Sequence, residues 1–395
     1  MDNLTVNSPS VPSTGYRAVL PNRDKKREPE QDIAKGIGML FVIFLHTVTL
    51  YTLGGRDTET SGLVSIVVLA LFGYMMPFYF IMSGYNYKPG VPYGVSVRKR
   101  AKQLLIPLFN FTVAIWVLLG AYLCLRGETD VPTLFKSYIA YWLTDPLAGW
   151  AGLDASRTLV AQSVGPTWFI KCLMLAYLIF TAVAPYALKK TSSMFSVILG
   201  LFGLSYVFAA CIDRLPGIDG LPWNADVAPA AAGLMLIGVV MRKYKLFDWH
   251  FTDKRKSMVN SLIALGVLIY LQVEVPGVGM FSSGRIAYKM GPAEVFVTLA
   301  CGVLGTVFLM NLSKLLVKAK YLGTFLAYVG QNSLVVLIIH GPVMRVFCDI
   351  FGLTGAPAGS IGLANLAVFV LTLLTSIFFI YLKGLLNRSL LKGRR

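Results

Sequence analysis

The chain has 395 residues, of which 56% are hydrophobic and only 14% charged, with a mean hydropathy of +0.66. An ordinary soluble domain carries about 25% charged residues, so a soluble globular protein and a disordered one are both excluded. The long apolar runs also exclude an outer-membrane barrel, whose strands are short and alternating. The net charge of +17 does not point to nucleic acid, because the basic residues cluster in short loops between apolar runs. What remains is an all-α, polytopic integral membrane protein with no nucleic-acid partner.

In chain order, residues 1–30 are polar and lack the apolar core of a cleavable signal, so a disordered cytoplasmic tail is expected and the first span serves as the membrane address. Ten apolar runs follow, at about 32–53, 62–85, 104–125, 166–187, 193–211, 225–241, 257–273, 292–311, 322–340 and 362–383. The sixth is short and rich in Ala and Gly. With the N-terminus inside, 26 Lys and Arg residues fall in inner segments and eight in outer ones. That asymmetry predicts ten transmembrane helices with both termini cytoplasmic. The membrane domain is then 31–385, and 386–395 is a basic cytoplasmic tail. The longest outer loop, 126–165, is expected to fold back as a lid or re-entrant segment. Its Tyr138, Tyr141, Trp142 and Trp150 either stack on sugar rings or, the favoured reading, form an interfacial aromatic belt.

The first span carries the chemistry. Lys35 lies near its cytoplasmic end, and His46 eleven residues on stands roughly 16 Å deeper on about the same helix face. Gly36 and Gly38 allow a second helix to approach closely. Ionisable groups inside a membrane usually face a cavity or a partner, and an imidazole beside a cavity is a natural general base. The plainer alternative is a histidine hydrogen-bonded to a neighbouring helix. Lys35 can equally pair with Asp32 at i, i+3.

Several motifs then recur in order. Lys35, ten intervening residues and His46 are followed by Met76-Pro-Phe-Tyr-Phe-Ile-Met-Ser83-Gly-Tyr85 and by Arg98-Lys99-Arg100-Ala-Lys102-Gln-Leu-Leu-Ile-Pro107. Gly165-Pro-Thr-Trp168-Phe-Ile170 and Gly330-Gln-Asn-Ser-Leu…His340 complete the set. Together they resemble the membrane acyltransferase-3 family, the O-acyltransferases of bacterial polysaccharides and lipid-linked sugars. The form Asp-x-x-Lys-Gly-x-Gly…His is similar to its fucose 4-O-acetylase-like branch. Two departures stand out: the family commonly has Arg where this chain has Lys35, and often has a second Arg where Gln103 stands. Because Arg and Lys are not interchangeable at bidentate sites, the gripping residues on the third helix stay open.

The resemblance implies an acyl-CoA-dependent O-acyltransferase of the bacterial inner membrane. It moves an acyl group, acetyl being expected and succinyl the rival, from cytoplasmic acyl-CoA to a hydroxyl of a saccharide or lipid-linked glycan. His46 is then the base, and Lys35, grouped with it in the catalytic set of the first helix, either holds the polar arm of the acyl donor or pairs with Asp32. Arg98, Lys99, Arg100 and Lys102, taken to precede the third helix, hold the CoA phosphates or merely satisfy the positive-inside rule. On the acceptor side stand Ser83, Tyr85, Asn110, Trp168, Lys171, Glu294 and His340. Each has a plain reading beside the functional one: Trp168 as an interfacial aromatic, Lys171 as a snorkelling cation, and Glu294 as an acid favoured by a helix N-terminus. His340 is either a second imidazole of the reaction or a structural residue ending the ninth helix. Asn110 is either cavity lining or an interhelical hydrogen-bonding group. No metal-binding spacing is present, and His250 reads as surface. A transporter of a glycan or lipid-linked precursor is the rival outside the enzyme class.

Overall fold

The computed structural model describes residues 28–49, 62–143, 167–212, 214–215, 220–249, 254–274, 293–353 and 363–392. Every regular element among them is helical: α1 (Pro29–Thr49), α2 (Gly62–Tyr85), α3 (Tyr93–Leu125), α4 (Val131–Leu143), α5 (Trp168–Ala187), α6 (Thr191–Ile212), α7 (Ala228–Lys243), the short α8 (Leu246–Trp249), α9 (Lys254–Glu274), α10 (Ala293–Leu316), α11 (Lys320–Gln331), α12 (Ser333–Ile350) and α13 (Leu363–Lys392), with one 3-10 turn at Pro222–Asn224. Lipid offers no partners for backbone N–H and C=O groups, so apolar runs of this length close their hydrogen bonds internally as helices. Seven helices among the described residues are long and apolar enough to cross a membrane, and the fold is that of a polytopic all-α membrane protein.

Small residues set the centre of the bundle. The short Ala- and Gly-rich sixth run becomes α7, the most enclosed of the seven span-length apolar helices among the described residues. Its composition is the reason: a Cβ on Gly238 would collide with the Ile81 carbonyl, and one on Gly84 with that of Met235, so α2 and α7 touch backbone to backbone. The same device joins α1 to α11, where Gly36 lies on the Leu326 carbonyl and Gly330 on that of Asp32. The expected close approach at Gly36 is therefore present. At Gly38 the neighbour is the Tyr79 side chain.

Three expectations need correction. The ninth apolar run is not one span but two helices, because Asn332 leaves helical geometry (φ −110°, ψ 18°) and caps both sides. Its Nδ2 donates to the Tyr328 carbonyl, while its own carbonyl accepts from Val335 and Val336 N–H. His340 accordingly does not end a helix. It lies inside α12, which continues through Gly341-Pro342 to Ile350 despite the donor missing at proline. The third helix starts at Tyr93, so Arg98–Lys102 sits within its early turns and not before it. Those four cations therefore do not coincide with the free N–H groups of the helix start.

The described part of the loop expected on the outer side, 126–143, is partly helical. Its segment α4 packs on α3, where Trp116 Nε1 donates to the Leu134 carbonyl at 3.0 Å and the Trp116 ring meets Tyr138 and Tyr141 at 5.2 and 5.3 Å. Of the expected tails at 1–30 and 386–395, residues 29–30 belong to α1 and 386–392 to α13, while 1–27 and 393–395, residues 144–165 of the expected lid at 126–165, Trp150 and His250 lie outside the described residues.

Candidate active site

A cavity of about 220 Å³ opens between α1, α2, α3, α5, α11 and α12. Two cations, Lys35 and Arg100, line it together with Ser83, Gln331 and Ser333, and methionines 39, 76 and 82 with Phe169, Ile170, Leu173 and Leu337 form its apolar part. Contacts between helices hold several of these groups in place. The Lys35 carbonyl accepts a hydrogen bond from Tyr79 Oη at 2.8 Å, which locks α1 to α2. Lys35 Nζ stands 4.0 Å from Asp32 Oδ1, and Asp32 Oδ2 accepts from Gln331 Nε2 at 3.2 Å. The pairing and the cavity-lining readings of Lys35 thus hold at once. The Arg100 guanidinium lies over the Tyr177 ring at 4.7 Å, and the Tyr177 hydroxyl is 2.7 Å from Ser96 Oγ. Stacking on an aromatic face is a role arginine fills better than lysine.

The other predicted cations of that segment diverge. Arg98, Lys99 and Lys102 are exposed, and Arg100 alone of the four lines the cavity. Ser83 lines it and donates to the Tyr79 carbonyl at 2.9 Å. Tyr85 instead packs on Phe247 with ring centroids 5.3 Å apart, and Asn110 is exposed on α3. Glu294 lies in the first turn of α10, but its side chain is outside the described residues.

Deeper in the bundle, α1 and α12 bring two histidines together. The rings of His46 and His340 stack with centroids 5.2 Å apart and planes 26° from parallel. His340 is fully buried, with Nδ1 3.1 Å from the Val336 carbonyl oxygen, while His46 is half-buried. The buried nitrogens His46 Nδ1 and His340 Nε2 have no hydrogen-bond partner among the described residues. The cavity lining ends at Met39 on α1 and Leu337 on α12, and Leu337 lies three residues, or about 4.5 Å of helix, before His340.

Lys171 corrects the snorkelling reading. Its side chain is fully buried on α5, where Nζ donates to the Tyr141 carbonyl and lies 3.6 Å from the Tyr141 ring centroid and 5.7 Å from that of Trp142. Trp223 Nε1 donates to the next carbonyl, that of Trp142, at 2.8 Å. Together these donors satisfy carbonyls at the C-terminal end of α4, where helices lack internal donors. Trp168 is buried edge-on against Phe169 at 6.2 Å and does not line the cavity. Sequence reasoning missed Tyr79 and Tyr177, whose roles depend on partners on other helices. Among the described residues no group of three or more His, Cys, Asp or Glu side chains comes together as a metal site.

No curated protein and no solved structure matches the chain. The sequence profile of the acyltransferase domain does match it, over residues 29–384, which covers α1, the cavity, both histidines and most of α13. The chain belongs to the acyltransferase-3 family of membrane acyltransferases.

Proposed function

We propose that the protein is an O-acyltransferase that takes an acyl group, acetyl first, from cytoplasmic acyl-CoA and places it on a hydroxyl of a saccharide or lipid-linked glycan. The proposal includes ten spans, cytoplasmic termini and a bacterial inner membrane. The observation that carries it is the placement of Lys35 and Arg100 in one cavity whose lining runs along α1 and α12 toward His46 and His340. Two cations and three methionines lining one cavity suit a phosphate-bearing donor with a long, weakly polar arm.

Acyl-CoA supplies an activated thioester, and the residues supply binding and proton transfer. His46 takes the proton of the acceptor hydroxyl as its oxygen bonds to the acyl carbon. The carbon–sulfur bond then breaks, and the departing thiolate recovers that proton from His46. Lys35 and Arg100 hold the donor and hand nothing over.

The test uses membrane vesicles of both orientations and acetyl-CoA labelled in the acetyl group. Base-labile label should appear on glycan when acetyl-CoA meets the cytoplasmic face. Label arriving only from the opposite face, or glycan flux without any CoA dependence, would overturn the reading. Transfer from succinyl-CoA in place of acetyl-CoA would change the donor and leave the roles of the residues intact.

A further inference from the structure

The two histidines contain more information than a single base requires. A carbonyl oxygen can only accept, so His340 Nδ1, at 3.1 Å from the Val336 carbonyl, carries its ring proton. That fixes the tautomer and leaves Nε2 as a lone-pair acceptor. Nε2 is buried in a fully buried residue and has no hydrogen-bond partner among the described residues, and the adjoining His46 has a buried nitrogen in the same condition. Buried polar atoms are normally satisfied. Two unsatisfied ones on stacked rings from α1 and α12 mark a place built to receive hydroxyl groups.

We propose that His340 binds the acceptor itself, through a second hydroxyl next to the one that His46 deprotonates, so that the acceptor is a vicinal diol. This rests on the acyl-transfer reading above. The argument is one of proton supply. A hydroxyl has a single O–H, and the reacting one gives its proton to His46, so it has none left for His340. The fixed acceptor at Nε2 therefore needs a separate donor, and a neighbouring hydroxyl on the same sugar provides it beside the stacked rings, whose centroids are 5.2 Å apart. In the step itself the acceptor oxygen bonds to the acyl carbon and the carbon–sulfur bond breaks. The proton passes from the oxygen to His46 and then to the thiolate. His340 keeps its proton on Nδ1 throughout and orients the diol.

The experiment compares wild type, His46→Ala, His340→Asn and His340→Gln at matched amounts in membranes. It measures transfer from labelled acetyl-CoA to endogenous glycan, the KM for acetyl-CoA, and the position of the ester by tandem mass spectrometry. Asparagine keeps a donor for the Val336 carbonyl but has nothing at the Nε2 position, whereas glutamine puts an acceptor oxygen near it. Asn should lower kcat by about 10- to 100-fold at an unchanged KM for acetyl-CoA, Gln should retain most of the rate, and every ester should sit beside a free hydroxyl. A rate kept by Asn and lost by Gln would make His340 structural. Equal effects of the two variants, or esters on hydroxyls with no neighbour, would also overturn the proposal. Absence of label in wild type, or no loss in His46→Ala, would instead overturn the acyl-transfer reading on which it rests.

Discussion

Replacing Gly330 with alanine should damage the protein, although alanine is the better helix former by about 1 kcal/mol. Gly330 of α11 lies directly on α1. An added Cβ would sit 2.7 Å from the Gly36 nitrogen and 2.8 Å from the Asp32 carbonyl carbon, and closer still to that carbonyl oxygen, where ordinary contact begins at 3.4 Å. All of these atoms are backbone, so no side-chain rotation relieves the clash, and the two helices must separate by roughly 1 Å. Overpacking of this kind costs about 1–3 kcal/mol, which exceeds the propensity gain and sets the sign. The separation also moves α1, which carries Lys35 and His46, and a displacement of ~1 Å at a reacting group costs on the order of 100-fold in rate. The assay is thermal unfolding in detergent beside labelled acetyl transfer, with Gly200→Ala of α6 as control, since nothing lies within 4 Å of a Cβ added there. Equal stability and activity in the two variants would refute the claim that α1 is positioned by backbone contact.

Three further outcomes follow from the structure. Arg100→Lys removes the planar group stacked on Tyr177 and should raise the KM for acetyl-CoA several-fold while leaving kcat nearly unchanged; a fall in kcat alone would remove Arg100 from the donor site. Lys171→Met leaves the buried Tyr141 carbonyl without this donor, so unfolding in detergent should show a loss of about 1–3 kcal/mol and protease should cut more readily within 131–143. An unchanged cleavage pattern would contradict the role of Lys171 in holding α4. Asp130 accepts from the Thr133 N–H at 2.7 Å, and hydrogen bonds from Thr133 hold its carboxyl below the usual aspartate range. The sign follows: its contribution to the start of α4 is full above the unfolded carboxyl's pKa and fades as pH falls through the lowered folded value. Amide exchange in the first turn of α4 should therefore quicken on acidification beyond the intrinsic change, and much less so in Asp130→Ala.

Much of the fold was legible because lipid makes hydropathy decisive: the run 62–85 is α2 residue for residue, and 193–211 lies inside α6. Interruptions by polar residues were less legible. The Gly330-Gln-Asn-Ser333 stretch lies inside an apolar run, and the non-helical backbone of Asn332, with its side-chain bond back to Tyr328, ends one helix before the next begins. The start of α3 was missed for the opposite reason, since cations on an amphipathic first stretch hide a helix from an apolar window. At the site, Lys35 and His46 could be read from one helix. The meeting of His46 with His340 could not, because packing of α1 against α12 places the rings together and no local spacing encodes it. For Lys171 the snorkelling alternative fails for the same kind of reason: only packing shows that the carbonyl and rings of α4 close over its side chain.

The central claim is that His46 takes the proton of the acceptor hydroxyl. Its most direct measurement is mass spectrometry of surface glycan from cells fed labelled acetate, comparing wild type with His46→Ala at equal membrane abundance and equal thermal stability. The account predicts labelled O-acetyl groups in wild type and a loss of about 100-fold or more in the variant. Equal labelling of the two would contradict it and reduce the stacked histidines to packing.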